Sequence, residues 1–129
     1  MGYYSQVGFA MSENKYNQML EKAEKTLGQK TFENLKYLLE KADTNKKIKN
    51  KFPATVIKDS SEYIRVVLFD YIKWYVGDEL FPEVNFIDDY LKWADFPYDY
   101  IVLGEDADDN EEDLHLYVIA SHREIRLED

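Results

Sequence analysis

Glu62-Tyr63-Ile64-Arg65-Val66-Val67-Leu68-Phe69 is the stretch on which the fold class turns. Its second half, Val66–Phe69, is apolar at every position. A strand built from it has no face to turn to water, so it belongs inside a sheet covered on both sides. From Asp70 to Val76 the residues fit strand and helix alike, since Leu68, Tyr71, Ile72 and Tyr75 also fall at helical spacing. β-Branched and aromatic content favours the strand.

Upstream, Gly2–Met11 alternates weakly and is rich in aromatic and β-branched residues, which predicts a strand. Ser12 is placed as the N-cap of a helix over 13–27, whose stripe is Tyr16, Met19, Leu20, Ala23 and Leu27, with Gly28 as its stop. Thr31 is expected to cap a second helix over 32–42, with Phe32, Leu35, Leu38, Leu39 and Ala42 inward. Asp43–Lys51 reads as a polar connector, and Pro53 keeps Phe52 out of a helix. Ala54–Lys58 is expected to pair with Glu62–Phe69 around a turn at Asp59-Ser60-Ser61.

Downstream, Pro82 suits the first position of a helix over 82–94, with Val84, Ile87, Tyr90, Leu91 and Ala94 as its stripe. Tyr98–Gly104 and Leu114–Ser121 read as a closing hairpin, and Ile125 and Leu127 extend its return strand. The order β-α-α-β-β-α-β-β predicts an α+β fold, a mostly antiparallel sheet with helices packed on one face. At 129 residues the chain fits a single domain, 1–129. With 45% hydrophobic residues it has enough apolar side chains for a packed core.

The absence of cysteine excludes disulfides, thiol nucleophiles and thiolate metal sites. No apolar run approaches the roughly 20 residues of a membrane span. The start also lacks the basic and apolar regions of a signal peptide, so a cytoplasmic protein is the expectation. The net charge is −10, unevenly spread. Residues 1–58 carry +5, with a peak at Lys46, Lys47, Lys49 and Lys51, and residues 59–129 carry −15, with a peak over Glu105–Asp113. Such a chain repels phosphates and anionic lipid, so direct binding to nucleic acid or membrane is not expected. Proteins with basic surfaces are attracted.

Asp106-Ala107-Asp108-Asp109-Asn110 begins like a calcium loop. The pattern fails at Glu111, where glycine is required, and at Tyr117, where a bidentate glutamate belongs. His115 and His122 are separated by an odd number of residues, which on one strand puts them on opposite faces. No nucleophile elbow or glycine-rich phosphate loop is present, and carboxylate pairs among 26 acidic residues arise by chance. Neither an enzyme nor a cofactor or metal site is therefore expected. Twelve of the 20 aromatic residues lie in 62–100, among carboxylates instead of the lysines that single-strand binding needs.

Gly2-Tyr3-Tyr4-Ser5-Gln6-Val7 and Leu103-Gly104-Glu105-Asp106…Asp109 resemble the opening strand and acidic turn of small proteins from phages, prophages and mobile elements. The resemblance implies a compact, non-enzymatic accessory or anti-defence protein, similar in kind to anti-CRISPR inhibitors. The lysines of 46–51 depart from a uniformly acidic mimic, which favours one acidic face.

The resulting expectation is an interaction protein that binds and inhibits a basic, nucleic-acid-handling bacterial defence protein. Its contact residues would be Asp88, Asp89, Trp93, Asp95, Tyr98 and Asp99, with Glu105, Asp106, Asp108, Asp109, Glu111, Glu112 and Asp113. The charges would steer the encounter and the aromatics would hold the complex. Two alternatives are a small enzyme or metal module using the carboxylates, and a self-associating protein whose basic half meets the acidic half of a neighbour.

Overall fold

A computed structural model of the chain describes residues 4–104, 110–121 and 124–128. Five strands, β1 (Ser5–Ser12), β2 (Thr44–Lys49), β3 (Tyr63–Ile72), β4 (Asp99–Leu103) and β5 (Glu111–Leu114), form one sheet in the order β2-β3-β1-β4-β5. Every neighbouring pair is antiparallel. Two short strands, β6 (Ile119–Ser121) and β7 (Ile125–Leu127), make a separate antiparallel pair. The helices are α1 (Glu13–Thr26), α2 (Gln29–Glu40) and α3 (Pro82–Lys92). The expected α+β class and element order hold, with β6 and β7 added at the C-terminal end.

The sheet is covered on both faces by different means. Val7, Phe9, Val67, Phe69, Tyr100 and Val102 face all three helices, against Tyr16, Met19, Leu35, Leu39, Ile87 and Leu91. Ala10, Ile64, Val66 and Ile101 face the other way, under Ile57, Leu116, Val118 and Ile119. Double coverage explains the uninterrupted apolar run of β3. β1 sits at the centre of the sheet, between β3 and β4.

Gly8 lies directly under the β6–β7 pair. A Cβ added there would stand 2.8 Å from both Ile125 Cγ2 and Leu68 Cδ2, and 3.2 Å from Ile119 Cδ1. We expect Gly8→Ala to cost about 1–3 kcal/mol, the scale of overpacking a filled core. The check is the urea midpoint, and an unchanged midpoint would show that the small pair slides outward freely.

Four boundaries differ from expectation, each for a physical reason. Asp43–Lys51 is not a connector throughout: Thr44–Lys49 pairs with β3 from Thr44↔Leu68 to Lys49↔Tyr63. An edge strand tolerates lysines because its outer line of peptide groups faces water. Ala54–Lys58 is not a strand. The Pro53 carbonyl accepts the amides of Val56 and Ile57 at 2.9 and 3.1 Å, which curls the segment and drops Ile57 into the second core.

Gly28 has extended backbone instead of the left-handed form expected of a helix stop, and it is the N-cap of α2. Its carbonyl accepts Phe32 N–H at 2.9 Å, so α2 begins three residues earlier than Thr31 suggested. The return of the closing hairpin is Glu111–Leu114, earlier than expected, and the chain then turns away to β6.

Candidate functional site

Helix α3 buries Val84, Ile87 and Leu91, and helical geometry places Asp88 on that same face. Asp88 is accordingly 2% exposed. Its carboxylate accepts the Tyr100 hydroxyl at 2.9 Å and lies 3.2 Å from Lys92 Nζ, while Tyr100 oxygen accepts Trp74 Nε1–H at 2.9 Å. Burial first, then the Asp88 charge, pushes the Tyr100 phenol well above its ordinary range.

Asp99 is 0% exposed at the start of β4. Its Oδ1 accepts the amides of His115, Leu116 and Tyr117 at 3.0, 2.7 and 3.0 Å. Its Oδ2 accepts those of Val118 and Ile119 at 2.6 and 3.3 Å. One carboxylate therefore holds the whole turn between β5 and β6, including Tyr117 at φ 56°. Asp88 and Asp99, expected from sequence to present charge to a partner, are instead buried and fastened inside the fold.

The other expected contacts fall into two groups. Asp89, Trp93 and Asp95 are exposed at the C-terminal end of α3, with Trp93 86% accessible. They border a groove of about 570 Å³ against α1. Across it Lys15 Nζ lies 5.3 Å over the Phe96 ring and Lys22 Nζ 5.9 Å over the Tyr90 ring. The Tyr90 hydroxyl donates to the Lys15 carbonyl at 2.9 Å, and burial together with Asp95 pushes its pKa up to about 12. These lysines were invisible to the local reading, because they come from a helix some 70 positions earlier in the chain.

The second group is the edge strand β5. Glu111, Glu112 and Asp113 are all exposed. Register places Glu111 and Asp113 on the helix side, opposite Val102 and Tyr100, and Glu112 on the other side, opposite Ile101. Lys92 Nζ bridges the groups, 3.6 Å from Glu111. Tyr98 is buried, and its hydroxyl donates to the Asp113 carboxylate, leaving it no contact surface of its own. Burial, then that carboxylate, raises the Tyr98 phenol above its ordinary range. Glu105, Asp106, Asp108 and Asp109 lie outside the described residues, as does most of the calcium-like segment and His122.

A cleft of about 640 Å³ gathers Ser12, Lys15, Asp59, Asp95 and His115. These residue types suggest hydrolytic chemistry, but their bonds are otherwise directed. Ser12 Oγ donates to Asp59 and accepts Lys15 N–H as the cap of α1. Burial raises the Asp59 carboxyl, but the bonds from Ser12 and Ser61 and the Lys15 charge outweigh it and hold the group below its ordinary value. His115 Nε2 lies 2.8 Å from Asp113. Asp59 also helps dock the 59–61 turn onto the start of α1, where Asn14 N–H meets Ser61 Oγ at 3.0 Å.

Among the described residues, no group of three or more His, Asp or Glu is arranged to hold a metal ion. No helix there is long and apolar enough to cross a membrane. No family model, curated protein or solved structure matches the chain.

Proposed function

We propose that the protein acts by binding, docking the α3 end and β5 edge on a basic surface of a nucleic-acid-handling protein and occluding it. The observation that carries this reading is Trp93. An indole 86% exposed, flanked by Asp89 and Asp95 and set one lysine away from the acidic edge of β5, has the make-up of an interface anchor with a charged surround. The resemblance to phage and mobile-element proteins supports a bacterial defence protein as the target class. Occlusion of a basic channel needs no chemistry from the occluding chain, which agrees with the bonding of Ser12 and His115.

The test is capture from a nuclease-treated bacterial lysate, followed by kinetics with the purified partner. We expect a basic nucleic-acid-binding protein that is released by salt. Trp93→Ala should speed dissociation by about tenfold or more, the scale of a hot-spot residue. Asp89→Asn with Asp95→Asn should slow association, with the deficit shrinking as salt rises. Unchanged kinetics in both variants, or saturable binding of the purified chain itself to DNA or RNA, would overturn the reading.

A further inference from the structure

The sheet order places the most basic and one of the most acidic strands of the chain at its two opposite edges, β2 and β5. We propose that these edges are complementary to each other, so that the β5 edge of one copy extends onto the β2 edge of the next. Among the described residues, neither strand has a backbone hydrogen bond on its outer side. With four antiparallel steps between them, β2 and β5 run in the same direction. A second copy in the same orientation therefore meets the first as a parallel strand pair, with the faces of the two sheets continuous.

The side chains match on both faces in one register. In β2, Asn45 and Lys47 stand on the helix side, and Lys46 and Ile48 on the other, next to the second core. In β5, Glu111 and Asp113 stand on the helix side, and Glu112 and Leu114 on the other. Setting Glu111 beside Asn45 puts Glu112 beside Lys46, Asp113 beside Lys47 and Leu114 beside Ile48. Opposite charges in such cross-strand positions stabilise, and like charges destabilise. The two-fold alternatives, β2 on β2 and β5 on β5, set lysine against lysine and acid against acid. Only the head-to-tail arrangement is favoured, and it does not close on itself.

Two features set its strength. Lys92–Glu111 at 3.6 Å and Ser121 Oγ–Glu112 at 2.7 Å are exposed contacts that exchange at little cost. Asn45, by contrast, keeps its part-buried bonds to Tyr16, Leu39 and Arg65, and Asp113 keeps the Tyr98 hydroxyl, so these two offer only their remaining outer surface to a second copy. The net charge of −10 repels whole copies from one another. At about 0.15 M salt, where screening acts beyond ~8 Å, that repulsion weakens while adjacent side chains still attract. The association is therefore weak, concentration-dependent and confined to moderate salt.

The test is sedimentation velocity on the purified chain from micromolar to near-millimolar concentration. At about 0.15 M salt the average mass should climb with concentration to at least twice 15.3 kDa, and at about 1 M, where screening reaches ~3 Å, it should return to 15.3 kDa. Lys46→Glu with Lys47→Glu makes both edges acidic, and Glu111→Lys with Glu112→Lys makes both basic. Each double variant alone should stay monomeric, with unchanged circular dichroism and melting. Mixed together they should associate, because each supplies the edge the other lacks. A single 15.3 kDa species of the wild-type chain at every concentration, or a mixture no heavier than its parts, would overturn the proposal. Its failure is separable from that of the binding reading: Trp93→Ala should leave self-association intact, and Lys46→Glu with Lys47→Glu should leave capture of a basic partner intact.

Discussion

Asp99→Ala is expected to lower stability by about 3–5 kcal/mol, since each buried amide that loses its acceptor costs about 1–3 kcal/mol and several lose it at once. Five consecutive amides, from His115 to Ile119, converge on this one carboxylate. Without it the His115 amide still has the Tyr98 carbonyl at 3.0 Å, but those of Leu116, Val118 and Ile119, all buried residues, are left where water has little access. The turn also aims β6 and β7 at the second face of the sheet, so its loss uncovers Ala10, Ile64, Val66 and Ile101. Asp99→Asn keeps one acceptor oxygen and turns an amide N–H₂ toward backbone donors, so it should fall between wild type and Ala. Urea denaturation measures the order, and hydrogen exchange should show the amides of Leu116, Tyr117, Val118 and Ile119 losing protection first. An Ala variant within about 1 kcal/mol of wild type, an ordinary substitution effect, would mean that water or a rearranged turn replaces the carboxylate.

The second large effect lies at high pH. Tyr100 is buried beside Asp88, and both burial and that charge raise its phenol above the usual value. Tyr98 beside Asp113 and Tyr90 beside Asp95 are displaced in the same direction. In the unfolded chain a tyrosine ionises near pH 10. Below that pH both states hold the proton and the stabilising contribution is complete. Above it the unfolded chain releases protons that the fold retains, so stability falls by about 1.4 kcal/mol per pH unit for each phenol kept neutral. For Tyr100, whose bond to Asp88 is buried, this slope applies directly; the hydroxyls of Tyr98 and Tyr90 sit in part-buried bonds nearer the surface and contribute less.

Urea midpoints should therefore be flat on the approach to roughly pH 10 and drop beyond it. The last part of the tyrosinate absorbance of the 11 tyrosines should appear together with the loss of helical circular dichroism. Ionisation of every tyrosine while the helical signal persists would contradict the Trp74–Tyr100–Asp88 chain of bonds. Tyr100→Phe should flatten the alkaline slope while lowering stability at neutral pH, because Trp74 Nε1–H and Asp88 lose their shared partner.

Much of the fold was legible because burial leaves a period in the sequence. Tyr16, Met19 and Ala23 lie on the buried face of α1, Leu35 and Leu39 on that of α2, and Val84, Ile87 and Leu91 on that of α3. The four-residue apolar run of β3 announced a covered sheet. Asp88 is in step with the apolar stripe of α3, four residues after Val84 and one after Ile87, and that spacing alone places it inward. The exposure of Asp89, one position on, follows from the same helix.

What the sequence by itself determined is the α+β class, the helical stripes and the separation of basic from acidic residues along the chain, since each is a property of composition or of local period. What only the tertiary structure decided depends on contacts between distant residues. β2 became a strand because β3 offered Tyr63–Leu68 as a pairing edge, although its own lysines carry no strand period. Asp99 became the centre of a turn because residues 16 to 20 positions later brought their amides to it. The placement of the basic and acidic strands at opposite edges arose from the order β2-β3-β1-β4-β5, which no local pattern encodes. Pairing order is set by which strands bury one another's apolar faces, and that choice is made by the whole chain at once.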